Sequence, residues 1–415
     1  MKSETETKMK KYFIAIIVLM ANRIVIPSFA QVDTSKAIIP TPMPPLAMAG
    51  VSPMPMPGMN IPLKMNPRPI GYKTGFLGTM YITGIASGIG QWQTNPYPGD
   101  HVTQTDVSNA QIFIQKIDGV VQYFLQIGGY SLPDMGVAYV KSVDATKAYY
   151  GMLPQGFLKI APIKNFSIQA GKLPTLIGAE YTFSFENMNI QRGLLWNQEN
   201  AVNRGAQINY TAGPVTFAAT WNDGFYSNTY SWIWGTGAYT INSSNSLSFT
   251  GGGNTKHTDI ATSATPLYQN NQQIYGLTYL HTSGKWTIEP YIQYTHVPKI
   301  PEIDADEKAS TSGAALYVNY SLKDDVDGSS INFPVRVEYI SSTGSANKGA
   351  PNLLYGQDSK AWSFTLTPTY QYRRFFARTE FSFVKANDFV SGGAFGSDGN
   401  KSTQTRVLLE AGVLF

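Results

Sequence analysis

From Gly71 to the carboxyl terminus, apolar and polar residues alternate with a period of two, the spacing that sends successive side chains to opposite faces of a strand. The final segment shows this plainly. Thr405, Val407, Leu409, Ala411, Val413 and Phe415 fall on one side and Arg406, Glu410 and Gly412 on the other, with Leu408 and Leu414 interrupting the polar side. In 362–370 the hydroxyls of Ser363, Thr365, Thr367 and Thr369 alternate with apolar neighbours. Pro368 removes a ladder donor there and predicts a bulge.

The strands are joined by links that are short and long in turn. Asp118-Gly119, Ala161–Asn165, Ala212-Gly213-Pro214, Ser283-Gly284 and Arg373-Arg374 read as tight turns. Trp92–Asp106, Leu173–Asn200, Asp223–Asn271, Pro298–Ser310, Ser342–Ser359 and Lys385–Ser402 are long and rich in Asn, Gly and Ser. Short turns on one rim, long loops on the other and a terminal strand ending in Phe predict an all-β, transmembrane, antiparallel up-and-down β-barrel of a bacterial outer membrane. About 14 strands can be counted, and a hairpin of Tyr230–Ile241 with Leu247–Thr250 would raise the number to about 16.

Face assignment follows from the cost of charge in lipid, about 2–4 kcal/mol at the midplane. If Val335, Val337 and Tyr339 face lipid, Arg336 and Glu338 face the lumen. Phe375, Ala377, Thr379, Phe381 and Phe383 likewise turn Arg378 and Glu380 inward. Arg406, Glu410, Glu289 and Lys159 complete a mixed-sign set of expected pore-lining residues.

Composition narrows the class. Charged residues are 14% and aromatic residues 13% of the chain, and mean hydropathy is -0.16. That profile suits neither a disordered chain nor a helical membrane bundle. With no cysteine there is no disulfide, thiolate site or Cys nucleophile, and four histidines leave little for metal or triad chemistry. His257-Thr258-Asp259 is the single candidate His–Asp neighbourhood for catalysis. No enzyme activity, cofactor or metal is expected.

The amino terminus reads as an export signal over residues 1–30. Lys8, Lys10 and Lys11 precede the apolar run Tyr12–Met20, and Ser28-Phe29-Ala30 is a small-x-small cleavage site. Removing it takes away five basic and two acidic residues, so the net charge of +4 becomes +1 and gives no basis for binding nucleic acid. Residues 31–70 interleave Pro with Met and read as a polyproline-like periplasmic linker.

The most distinctive internal stretch runs from Ala170-Gly171-Lys172-Leu173-Pro174-Thr175 through Gly178-Ala179-Glu180 to Asn187 and Arg192-Gly193-Leu194-Leu195. Arg204-Gly205-Ala206-Gln207 and Thr220–Phe225 follow. These segments resemble the putative beta-barrel porin-2 (OmpL-like) outer-membrane family, a likeness extending over residues 75–415 as a whole. The resemblance implies an outer-membrane barrel of porin function. The partners expected are therefore outer-membrane lipid and small hydrophilic solutes crossing passively. A homotrimer is an open expectation, by analogy with general porins alone. Leu173–Asn200 exceeds the usual loop length and is expected either to fold inward as a constriction carrying Glu180, Glu186 and Arg192 or to cap the barrel. Two rival readings are an adhesin, using Trp232, Trp234 and Tyr239 of the 223–271 stretch, and a plugged, substrate-specific transporter.

Overall fold

The computed structural model describes residues 63–64, 70–75, 78–325 and 329–415. The expected signal and nearly all of the Pro/Met stretch lie outside them. Its strands are β1 (Ile70–Lys73), β2 (Thr79–Thr94), β3 (Thr103–Lys116), β4 (Val121–Tyr130), β5 (Gln155–Ile163), β6 (Phe166–Pro174), β7 (Val202–Ala212), β8 (Val215–Asn222) and β9 (Trp232–Asn242). They continue with β10 (Asn245–Asn254), β11 (Gln273–Ser283), β12 (Trp286–Val297), β13 (Ala309–Asp324), β14 (Ser330–Ser342), β15 (Lys360–Leu366), β16 (Thr369–Tyr372), β17 (Phe375–Asn387) and β18 (Thr403–Leu414).

From β2 onward each strand pairs antiparallel with the next, except that β15 and β16 both lie between β14 and β17, and β18 returns to β2 in the register Leu414↔Ile85 to Thr405↔Thr94. The ring therefore has no open edge, as a sheet in lipid requires. β15 and β16 are two halves of one stave, interrupted at Thr367-Pro368, so the closed barrel has sixteen staves. The count exceeds 14 because β9 and β10 form the extra hairpin inside 223–271. That hairpin also overturns the aromatic adhesin loop: Trp232 and Trp234 are buried on the inner face of β9, while Tyr239 lies exposed on its outer face.

Closure runs to the last residue. Phe415 and Gly84 exchange both main-chain hydrogen bonds, at 2.8 and 2.9 Å, and the Phe415 ring lies where a Gly84 side chain would stand. Beyond that point β1 takes over the same edge of β2, pairing Ile70↔Ile82 to Lys73↔Thr79. Leu63 is buried, and the Gln371 side chain holds Lys64 by its main-chain N–H and C=O, each at 2.7 Å. Lys64 of the Pro/Met stretch is thus held to the inward-facing Gln371 of β16.

Turns at 164–165, 213–214, 243–244, 284–285 and 373–374 mark one rim. Loops 95–102, 131–154, 175–201, 223–231, 255–272, 298–308, 343–359 and 388–402 mark the other. The expected loop Trp92–Asp106 is shorter because β2 and β3 extend further, and 131–154 is a long loop that turn signals did not reveal. Tyr210, Trp286, Tyr372 and Phe375 stand exposed near the short turns, and Trp92, Trp221, Tyr294 and Trp362 near the loops, forming two outward aromatic belts. Replacing Gly84 by Val should overpack the closing seam, at a cost of about 1–3 kcal/mol. Loss of the fast-migrating unboiled band on gels would register it; an unchanged band would show that Phe415 can yield.

Candidate functional site

Strand alternation turns Arg336, Glu338, Arg378, Glu380, Arg406, Glu410 and Glu289 inward, and all seven are at most 1% exposed. Lys159 also points inward, beside buried Phe157, and is half-buried. The first six do not face open lumen. They are covered by the loop 175–201, which turns into the barrel, and nearly every residue of which is buried.

The contacts are specific. Arg336 reaches Glu180 Oε1 at 2.5 Å, the Gln191 carbonyl at 2.7 Å and Glu338 at 3.1 Å. Gly193 N–H donates to Glu180 Oε2 at 2.7 Å, and Leu195 N–H donates to Glu338 at 3.3 Å. Gly193 lies so near the Glu338 carboxylate that a Cβ would overlap it. Arg378 forms a two-donor contact with Glu410, then donates to the carbonyls of Asn187 (3.1 Å) and Ser184 (3.0 Å). Glu380 accepts the main-chain N–H of Ile190 at 2.5 Å and of Gln191 at 3.2 Å. Arg406 donates to Gln93 (2.8 Å), Gln191 Oε1 (2.9 Å) and the carbonyls of Asp134 and Val137 (2.6 and 2.5 Å). Guanidinium forks suit this task, since several donors in one plane satisfy a carboxylate and carbonyls together.

A second loop, 131–154, locks the first. Arg192 pairs with Asp134 at 2.5 Å and lies over the Trp196 ring at 4.9 Å. Its main-chain N–H and C=O bond Pro133 and Met135. Apolar packing completes the seat. Phe157, Phe124 and Phe113 form a stacked row on the inner wall, and Phe113 meets Phe185 of the loop with ring centroids 5.7 Å apart. Phe183 meets Tyr130 edge-on at 5.0 Å. Each buried aromatic adds about 1.5–3 kcal/mol from area removed from water. Leu408, which had interrupted the polar side of the last strand, packs with Ile89, Tyr139 and the loop residue Ile190.

The structure thus brings Glu180 onto the wall charges and Arg192 onto Asp134 of the second loop, and leaves Lys159 without a hydrogen bond or ion pair to the wall charges among the described residues. Among the described residues Glu186 accepts only the Phe183 N–H, at 3.3 Å, and burial pushes its carboxyl up to about 8. Sequence reasoning missed Asp134, Gln93 and Gln191, because nothing in a loop's composition shows which wall it will touch.

A closed, lipid-belted antiparallel barrel with a loop folded inward defines an outer-membrane channel-type barrel. The chain belongs to the putative beta-barrel porin-2, OmpL-like family, whose model matches residues 79–415, and it is a protein of the bacterial outer membrane. Among solved structures it is similar to an anion-selective porin from Comamonas acidovorans, at 13% identity and TM-score 0.53, over 81% of this chain and 99% of that one. It is also similar to the outer membrane channel DcaP of Acinetobacter baumannii, at 9% identity and TM-score 0.54, over 81% and 97% of the two chains. A third is OmpT of Vibrio cholerae, at 10% identity and TM-score 0.54, over 84% and 100%. At such identities these likenesses establish the fold. No curated protein matches the chain.

Two outcomes follow from the latches. Arg378→Gln leaves the Glu410 charge without its guanidinium and should cost about 3–5 kcal/mol, read as a lower urea midpoint. The paired change Arg378→Met with Glu410→Leu should recover most of that loss, and no recovery would place the Arg378 contribution elsewhere. Because folded Glu186 keeps its proton up to about pH 8 while the unfolded chain releases it near 4.5, its contribution to stability is full in acid and fades as pH rises between those values. The urea midpoint should fall over that window, and Glu186→Gln should flatten the fall; equal slopes in both proteins would exclude Glu186 as the source.

Proposed function

We propose that this barrel is a passive channel for small hydrophilic solutes and ions, with loop 175–201 as its constriction. The observation that carries the reading is the inward course of that loop, latched across the lumen by Arg336, Arg378 and Arg406. Membership of a porin family supports the same reading. Of the wall charges, half-buried Lys159 would line the path directly, whereas Glu289 is fully buried and the other six would act on a solute through the loop they hold. Homotrimeric assembly belongs to the same proposal, by analogy with general porins and with no interface residues attached.

We assign no reaction to the barrel. A hydrolytic centre needs a histidine base held by a partner beside a nucleophile. His257 and Asp259 are both exposed on a loop, and the rings of His281 and His296 are partnered by Asn245 and Ser310.

Planar-bilayer recording of the mature protein tests the channel, and discrete ohmic steps are expected. Deleting Thr182–Gln191 removes the segment that crosses the lumen and should raise single-channel conductance. Unchanged conductance would mean that the loop does not set the narrowest section, and silence after verified insertion would favour a plugged transporter.

A further inference from the structure

At the loop ends of β6 and β7 the lipid face of the wall carries two adjacent cations. Ile168, Ala170 and Lys172 follow one another outward along β6, as Ile208, Ala206 and Arg204 do along β7, and Lys172 is paired with Arg204 in register. Neither is buried, and 26% of the Arg204 side chain is exposed. Both reach one ring. Lys172 Nζ stands 5.5 Å and the Arg204 guanidinium carbon 3.9 Å from the centroid of Tyr226, in the loop 223–231. Tyr226 has a φ of 59°, a left-handed backbone that a bulky side chain rarely adopts, so the surrounding contacts hold the ring in place between the two cations.

The charges here do not cancel. Arg204 Nε donates to the buried Asp223 carboxylate at 2.6 Å, and Nη2 donates to the Tyr226 carbonyl at 2.9 Å. Lys172 has no carboxylate partner among the described residues; its Nζ donates to the main-chain carbonyls of Leu153 at 2.8 Å and Tyr150 at 3.4 Å. Two cations against one anion leave net positive charge on the lipid side, with N–H donors on both heads uncommitted among the described residues. Toward the membrane centre the next row pairs Ala170 with Ala206, flanked in the same row by exposed Leu158 and Trp221. Strands lie about 4.8 Å apart, so two alanines between a leucine and an indole make a shallow apolar trough beneath the cations. Trp221 belongs to the outward aromatic belt at headgroup level, and Lys172 and Arg204 stand one row beyond it.

A positive site at headgroup level over an apolar trough matches an anion that carries acyl chains, and guanidinium and ammonium donors match phosphate oxygens. The long-loop rim of an outer-membrane barrel faces the exterior, so the lipid at this level belongs to the outer leaflet. We propose that Lys172 and Arg204 bind the phosphate of a multiply acylated outer-leaflet glycolipid, with Tyr226 fixing the two heads and an acyl chain lying over Ala170 and Ala206. The site is on the outside of the wall and does not rest on the channel reading.

The barrel, folded in detergent from lipid-free material, would be titrated with bisphosphorylated lipid A and followed by native mass spectrometry. Lys172→Gln should weaken binding roughly tenfold, the worth of one charge-assisted hydrogen bond, and Lys172→Arg should retain it. Lys285 is the matched cation on the short-turn rim, 6.0 Å from the Tyr320 ring centroid and donating to the Leu322 carbonyl at 3.2 Å, and Lys285→Gln should bind as the wild type does. Equal affinity in the wild type and Lys172→Gln would overturn the site. So would a Lys172→Arg protein as weak as Lys172→Gln, because the loss would then lie in the Leu153 and Tyr150 contacts. Displacement of lipid A by an equal concentration of inorganic phosphate would assign the site to the free anion, and dephosphorylated lipid A binding as tightly would remove the phosphate from recognition; either result refutes the proposal.

Discussion

The interior of this barrel is organised by guanidinium groups that each serve two masters. Arg336 and Arg378 bind a wall carboxylate with one part of the fork and main-chain carbonyls of loop 175–201 with another, and Arg406 does the same with side-chain amides and the carbonyls of loop 131–154. Closing a sheet into a ring leaves an interior to be filled, and a loop that enters it carries main-chain groups that must find partners away from bulk water. The wall supplies donors through arginine and acceptors through Glu338, Glu380 and Glu410. Charge of both signs is thus required for the loop to lie inside at all.

The outer architecture was legible because lipid imposes a strict rule. A period of two, with apolar residues outward, fixes which side of each strand faces the membrane, and the terminal strand is assigned correctly to its last residue, with Phe415 outside and Arg406 and Glu410 inside. The hairpin of β9 and β10 was harder to read. Gly251, Gly252 and Gly253 weaken the strand signal of β10, and Trp232 and Trp234 are apolar on the inward face.

The interior was legible only in part. Inward direction follows from periodicity, but whether an inward charge meets water or another segment depends on contacts between residues far apart in sequence, such as Glu180 with Arg336 or Ser184 with Glu410. One signal was present. Leu408 and Leu414 broke the polar face of the last strand, as Phe113 and Phe124 do on β3 and β4. Leu408 and Phe113 touch loop residues, Ile190 and Phe185, while Phe124 stacks on Phe113. Apolar residues at inward positions trace part of the loop's seat along the wall.

The connectivity of the latches also sets an order of events. Loop 175–201 is synthesised between β6 and β7, yet its carboxylate, main-chain and hydroxyl groups grip β14, β17 and β18 respectively, near the far end of the chain. Until those strands arrive, Glu180 lacks its guanidinium and the loop's carbonyls lack their donors. The seam joining β18 to β2 lies beside the same grip, since Ser87 and Asn109 also donate to Glu410. Furnishing the inside and sealing the wall are therefore one late, shared step of assembly, and a fault in the loop would surface as a barrel slow to close.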